Sequence, residues 1–344
     1  MKPTPRSERW ARHARRLARC AVAVATLWAT LALFYLLGID RPLHVAMLLL
    51  WLAMGVAAWW TLRPGGSNRV VAAIFALGFA GLLFGFVTMK PQQDRDWADD
   101  VARLLRADVD GDQVTLHDVR DFTWRSDSDY DVHWDTRRYD LSQLQSADLA
   151  MSYWMGPAIA HTLVSFGFAD GQRVVFSLEI RKERNEQFSA LGGFFHKFEE
   201  VLVAADERDI LRVRTNVRGE DMYLYRLNIP PEGLRQMFMG YLGKARQLQG
   251  APRFYNTLTS NCTTIVYQLA RLIDPGLPLD WRLLLSGYAA QYAYDHGGLM
   301  PGYDFATLKA GGHVTARARA AGDAPDFSRR IRVGMPGEDP RVHP

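Results

Sequence analysis

Cysteine is rare in this 344-residue chain, and one of its two cysteines lies where a thiol could react. Cys262 follows Ser260 and Asn261, two residue types that often cap helices, and begins a run whose apolar residues recur at helical spacing. A thiol at a helix N-terminus meets the positive end of the helix dipole and unpaired backbone N–H groups, which favour the thiolate. The same N–H groups can bind the oxyanion that forms on an attacked carbonyl. The residues alone leave two hypotheses, a catalytic thiol and a buried core thiol.

A reactive thiol needs a general base, and His161 is the only one of the nine histidines that lies on a well-predicted core strand. That strand and the next are two alternating apolar runs, which meet at a turn formed by residues 169–171. The pattern therefore predicts a β-hairpin with His161 near its open end.

The register of this hairpin decides what His161 faces. If the turn is a three-residue loop with its glycine in the left-handed conformation, Phe168 lies opposite Gln172 and His161 lies opposite Glu179. A two-residue turn would place His161 and Glu179 on opposite faces of the sheet. We predict the first register, in which Glu179 can orient the imidazole and complete a relay. Ser177 and Gln172 are weaker candidates for this third role.

Structural alternatives exist for each of these residues. A histidine that faces a carboxylate across two strands is often only a structural pair. We predict no metal site and no cofactor, because the other histidines of this region are scattered without the spacing of metal ligands. The acidic stretch 108–112 lacks the glycine and glutamate positions of a calcium loop, so we interpret it as a turn. The scattered histidines are His117, His133, His196 and His296.

Three uncharged runs near the N-terminus, 20–39, 42–62 and 70–89, are each about the length of a membrane-spanning helix. We predict a basic cytoplasmic segment over 1–19, three transmembrane helices over 20–90, a catalytic domain over 91–310 and a poorly ordered tail over 311–344. Arginine is concentrated before the first span, so we expect the N-terminus in the cytoplasm and the later domain outside the inner membrane.

This topology bears on both cysteines. Cys20 falls near the cytoplasmic end of the first span and Cys262 in the exported domain, so the two cannot form a disulfide within one chain. The net charge of +4 owes much to the basic N-terminus, and we therefore predict no nucleic-acid partner. The sequence indicates no oligomeric state.

The exported region has the pattern of an α+β domain with an antiparallel sheet. After the first hairpin we predict a strand over 199–205, a second hairpin formed by 209–217 and 221–229, and a helix after Pro230. The helix that begins at Cys262 follows.

Four stretches resemble the Lnb N-terminal periplasmic domain family: "GPAIAHTLVSFGFADGQRVVFSLEIRKE", "ADERDILRVRTN", "GEDMYLYRL" and "FYNTLTSNCTT". The resemblance covers roughly residues 110–300 and places the family's histidine and cysteine at His161 and Cys262. Histidine on a strand, with cysteine later at a helix start, is similar to the permuted papain and NlpC thiol enzymes. The resemblance thus implies that the three transmembrane helices predicted above are followed by a permuted papain-like domain with a cysteine-bearing helix.

The resemblance also implies acyl transfer to a lipoprotein amine. Cys262 would form a thioester, His161 would move the proton, and the substrate would be a lipid-modified protein or a phospholipid. We expect Asn261, Asn256 and Thr263 to support the site or the oxyanion. Two alternatives stay open: a thiol hydrolase of the same fold, acting on a peptidoglycan peptide or an ester, and a non-catalytic envelope module.

Overall fold

The computed structural model describes residues 5–63 and 68–338, and the chain forms two compact units. The first unit comprises Met1–Pro91 together with Ser189–Lys197, and the second comprises Gln92–Phe188 and Phe198–Pro344.

The first unit is built on three helices, α1 (Pro5–Leu37), α2 (Pro42–Thr61) and α3 (Arg69–Thr88). Each contains a segment that is long and apolar enough to cross a membrane; in α1 that segment is Arg12–Leu37. Helix α1 begins within the basic N-terminal segment rather than after it. The three apolar helices predicted from the sequence are confirmed.

A short stretch from far along the sequence, Ser189–Lys197, packs with these helices inside the first unit. Phe195 stacks on Tyr35 of α1 with ring centroids 5.7 Å apart, and His196 stacks on Phe86 of α3 at 4.2 Å. The sequence pattern gave no sign of this insertion.

The second unit is an α+β domain. Its strands are β1 (Arg106–Asp110), β2 (Gln113–Arg120), β3 (Thr123–Trp124), β4 (Tyr130–Asp131), β5 (Trp134–Asp140), β6 (Leu144–Tyr153), β7 (Ala160–Phe168), β8 (Arg173–Arg181), β9 (Glu199–Ala205) and β10 (Asp221–Arg226). Its helices are α4 (Glu207–Arg212), α5 (Pro231–Gly250), α6 (Cys262–Ile273), α7 (Ala289–Asp295), α8 (Phe305–Gly312), α9 (Thr315–Ala321) and α10 (Phe327–Arg330).

The main sheet has the strand order β1-β2-β9-β8-β7-β6-β10, with β5 also paired to β2. The predicted purely antiparallel sheet is wrong in one respect, because β2 and β9 meet in parallel at Arg120 and Ala205. The sheet is therefore mixed.

The β7–β8 hairpin has the predicted register. Val164 pairs with Phe176 and Phe166 with Val174, and the turn glycine, Gly171, has a φ of 87°. Even-numbered residues of both strands face a core shared with α5 and α6. Odd-numbered residues such as Val175 face a second core shared with α4, α9 and α10.

One prediction about the chain directly after β9 is wrong. Residues 209–217, predicted as a strand, form the end of α4 and a π-helical turn over Val213–Val217. Asp206 caps α4 by accepting a hydrogen bond from the backbone N–H of Arg208 at 2.8 Å, and this cap starts a helix where the alternating apolar residues had indicated a strand.

The tail predicted to be poorly ordered is folded as far as residue 338, and residues 339–344 lie outside the described residues. One of the arginines of this tail makes a buried electrostatic contact. Arg332 is fully buried, and its guanidinium lies 2.9 Å from Oδ2 of Asp148 on β6 and 2.8 Å from Oε2 of Glu207 on α4. These partners are distant in sequence, so local composition could not reveal them.

We expect Arg332→Met to lower the free energy of unfolding by about 3–5 kcal/mol, because it removes the guanidinium shared by two buried carboxylates. Arg330→Met is the matched control, since the Arg330 side chain is 53 % exposed, and we expect it to change stability by about 0.5 kcal/mol or less. Urea titration of the full chain in micelles, followed by tryptophan fluorescence, measures both. Equal effects of the two substitutions would contradict the expectation.

Candidate functional site

Cys262 is the first residue of α6, and only 6 % of its surface is exposed. Asn261 caps the helix, because its Oδ1 accepts hydrogen bonds from the backbone N–H groups of Thr263 and Thr264, each at 2.9 Å. The Oγ1 of Thr264 in turn accepts from the backbone N–H of Asn261 at 2.7 Å. This capping box fixes where the helix begins and hence where the thiol projects.

His161 lies near the start of β7 and is also buried. The β7–β8 ladder ends at the pair of Val164 and Phe176, so His161 lies beyond it. The imidazole Nε2 lies 2.7 Å from the Ser177 Oγ and 3.0 Å from the Glu179 Oε1. The hydroxyl of Ser177 donates to the same carboxylate oxygen at 2.8 Å. The predicted contact between His161 and Glu179 is therefore present, with Ser177 beside both.

The thiol of Cys262 and the imidazole of His161 interact, since each shifts the pKa of the other, and the backbone N–H of Thr162 also favours the thiolate. Because Nε2 of the ring contacts Ser177 and Glu179, Nδ1 is the nitrogen left for the sulfur. One imidazole thus connects the thiol to a carboxylate, which is the arrangement of a nucleophile, a base and an orienting group.

The charges of these groups support one another. Burial disfavours an imidazolium, but the Glu179 carboxylate and the Cys262 sulfur outweigh it and raise the pKa of His161 to about 9. Burial likewise disfavours the thiolate, yet His161 and the Thr162 N–H lower the pKa of Cys262. Burial would raise the pKa of Glu179, but His161 and Arg214 hold it well below its usual value. These shifts favour a thiolate–imidazolium pair.

The sequence analysis missed two charged residues of the site. Arg214, from the π-helical turn, lies with Nη2 3.0 Å from Oε1 of Glu179 and Nη1 3.5 Å from Oε2 of Glu220. Glu220 also accepts a hydrogen bond from Ser152, which pairs with His161 across β6 and β7. Arg214 occurs in the family-like stretch "ADERDILRVRTN". Because a strand was predicted there, the direction of the Arg214 side chain toward Glu179 could not be predicted.

The predicted supporting residues occupy different places. Asn261 acts as the helix cap, and the Oδ1 of Asn256 accepts from the backbone N–H groups of Leu258 and Thr259, so it shapes the loop before the helix. The Oγ1 of Thr263 lies 3.1 Å from Oγ1 of Thr162. Each therefore holds local structure next to Cys262.

The weaker candidate Gln172 lies at the exposed hairpin turn, where its side chain bonds Asp170. It is thus absent from the contacts that surround His161, whereas the other weak candidate, Ser177, makes one of them.

A cleft of about 240 Å³ opens beside the histidine. Its wall combines charged and aromatic side chains, so it suits a polar group attached to a less polar one. The residues that line it include His161, Glu179, Arg214, Glu220, Trp154 and Tyr255.

Residues 130–287 match the family model of the Lnb N-terminal periplasmic domain. The resemblance predicted from the motifs is confirmed, and the matched range contains His161, Glu179 and Cys262. No curated protein and no solved structure matches the chain. A periplasmic domain family together with three apolar helices indicates a membrane-anchored envelope protein.

We expect the alkylation of Cys262 by iodoacetamide to keep most of its rate as the pH falls from about 9 to 7, whereas a free cysteine, with a pKa of about 8.5, loses most of its thiolate over that range. His161→Gln removes the imidazolium and leaves burial unopposed, so the rate at pH 7 falls at least about tenfold because the thiol pKa rises. Mass spectrometry of the Cys262 peptide measures both rates.

Burial lowers the absolute rate of alkylation but leaves the shape of its pH profile to the thiol pKa. Glutathione in the same tube serves as the reference thiol. A wild-type profile that follows glutathione, or a His161→Gln profile identical to wild type, would contradict a thiolate–imidazolium pair.

Proposed function

We propose that this chain, in which residues 130–287 match the Lnb N-terminal periplasmic domain, is a membrane-anchored thiol acyltransferase of the cell envelope. The observation that carries the proposal is the placement of His161 beside a cleft, where it contacts Glu179 and interacts electrostatically with Cys262. The proposed substrate is an acyl ester on a lipid-modified protein or a phospholipid, and the acceptor is an amine.

In the first step the Cys262 thiolate attacks the ester carbonyl carbon. A carbon–sulfur bond forms while the carbonyl electron pair moves onto oxygen. When this tetrahedral intermediate collapses, the carbon–oxygen bond to the alcohol breaks, and the imidazolium of His161 protonates the departing oxygen. The products are a thioester on Cys262, a free alcohol and a neutral imidazole.

The oxyanion formed in this step needs donors that are already in place. Asn261 takes up the N–H groups of Thr263 and Thr264, so the first N–H of α6, that of Cys262 itself, remains directed beyond the helix start. The N–H of Thr162, which favours the thiolate of Cys262, is a second donor. These two backbone groups are the proposed oxyanion hole.

In the second step an amine attacks the thioester carbonyl. The neutral His161 accepts the proton that the amine loses, and the carbon–sulfur bond breaks to restore the thiolate. Glu179 stabilises the imidazolium in both steps, and Arg214 keeps that carboxylate ionised. Water in place of the amine would give the hydrolase that the sequence left as an alternative.

Anchoring suits this substrate. The ester of a lipid or lipoprotein lies at the bilayer surface, and a domain attached to membrane helices meets it at a high effective concentration. We propose that the membrane is the inner membrane, with the N-terminus cytoplasmic and the second unit periplasmic, since arginines cluster before the first span.

The test is to trap the acyl-enzyme. We expect the full chain, purified from membranes or incubated with a short ester, to carry an acyl mass on Cys262. Cys262→Ser and His161→Ala should abolish it, and Glu179→Gln should slow acylation by about 10²-fold or more, because general acid–base catalysis contributes about 10²–10⁴-fold. Cys20→Ser, which alters the exposed second cysteine, is the matched control and should retain the wild-type rate.

The fate of the trapped thioester separates the possible reactions. Transfer of the label to an added amine, faster than its release to water, supports a transferase, and release to water alone supports the hydrolase. The third outcome is that the chain forms no acyl-enzyme and that Cys262→Ser and His161→Ala each restore the phenotype of a strain that lacks the protein. This outcome would mean that the two residues only pack.

A further inference from the structure

A second cavity lies on the other face of β7, beneath α6. Its volume is about 210 Å³, and it extends between α5, α6 and α7. For comparison, an apolar cavity of about 150 Å³ stays dry and binds benzene. Most of its wall is aliphatic or aromatic and includes Leu149, Met237, Val266, Ala270, Ile273 and Ala293.

The polar groups of this cavity are at its rim or already bonded. Asp274 and Asn228 are exposed, and the Nδ1 of His296 lies 2.8 Å from the backbone carbonyl oxygen of Tyr292. The interior therefore offers little to a charged or strongly hydrogen-bonding ligand, and it favours a hydrocarbon.

Two threonines lie between this cavity and the catalytic pair. Thr162 and Thr263 line the cavity, and each is adjacent in sequence to a catalytic residue, His161 or Cys262. The sulfur of Cys262 lies 4.0 Å from the Oγ1 of Thr263. Because the two threonine hydroxyls bond each other at 3.1 Å, they form an internally satisfied wall between the thiol and the cavity.

We propose that this cavity holds the hydrocarbon chain of the acyl group that Cys262 carries. The inference rests on the proposed function and adds a binding site for the chain. Consecutive residues of a strand face opposite sides of the sheet, so His161 borders the charged cleft while Thr162 borders the apolar cavity. His161 thus borders a place for the polar part of the ester, and Thr162 borders a place for its tail.

This arrangement selects esters by chain length. A two-carbon acyl group gains nothing from the cavity, whereas each methylene buried there can raise the acylation rate constant by up to about fourfold. The end of a longer chain extends past the rim at Asp274. The occupant is thus an aliphatic acyl chain of medium or greater length.

The experiment compares p-nitrophenyl acetate with p-nitrophenyl octanoate as acyl donors to the full chain in nanodiscs, with the acyl mass on Cys262 as the readout. We expect the octanoyl ester to acylate wild type at least about tenfold faster than the acetyl ester. Ala270→Leu and Ala293→Leu narrow the cavity and should reduce that ratio to about twofold or less. Ala320→Leu, on the exposed side of α9, is the matched control, because it adds the same apolar side chain away from the cavity. It shows whether the preference for the octanoyl ester comes only from partitioning of that ester into lipid.

A second measurement keeps the two proposals separable. Sodium octanoate should raise the thermal midpoint of Cys262→Ser, and Ala293→Leu in that background should abolish the rise. Acylation that is indifferent to chain length, or an absence of octanoate binding, would overturn the acyl-chain site while the thiol acyltransferase stands. Octanoate binding without any acyl-enzyme would overturn the thioester and with it the assignment of this cavity to a Cys262-bound chain.

Discussion

The site depends on one buried carboxylate, that of Glu179, which stays ionised because it lies between His161 and Arg214. Burial alone would leave the carboxyl protonated, the imidazole neutral and the thiol uncharged. With Glu179 charged, the imidazole holds its proton, and the proton in turn favours the thiolate of Cys262. A single anion on one side of the histidine thus favours the charged form of the thiol on the other side.

Several elements place groups that compensate the buried charge of Glu179. The hairpin register brings Glu179 to His161, the π-helical turn after α4 turns Arg214 inward, and Glu220 balances the far side of that guanidinium. Burying charge is costly unless each charge is paired and hydrogen-bonded. Acidic and basic side chains alternate in the series Cys262, His161, Glu179, Arg214 and Glu220, which meets that requirement. Removing any one of them leaves the charge of its neighbour without a partner.

The parts of the site that the sequence predicted are those set by local rules. A three-residue turn fixes the hairpin register and hence brings the side chains of His161 and Glu179 into contact, and capping residues fix the start of α6 at Cys262. The place of Arg214 in the site was not predicted. The apolar residues around it alternate as in a strand, whereas the cap at Asp206 starts a helix. The cavities and the burial of Arg332 depend on contacts between distant segments, which no local pattern encodes.

The burial of Arg332 affects the order in which the second unit can complete its fold. Chains emerge from synthesis N-terminus first, so His161 and Cys262 are present long before the arginine that completes the opposite face of their sheet. Until residue 332 arrives, Asp148 and Glu207 lack that buried guanidinium, and the second core lacks Val314, Ala318 and Ile331. A chain that ends before residue 332 therefore holds His161 and Cys262 on a sheet whose second core is incomplete, and such a sheet is more open to proteases.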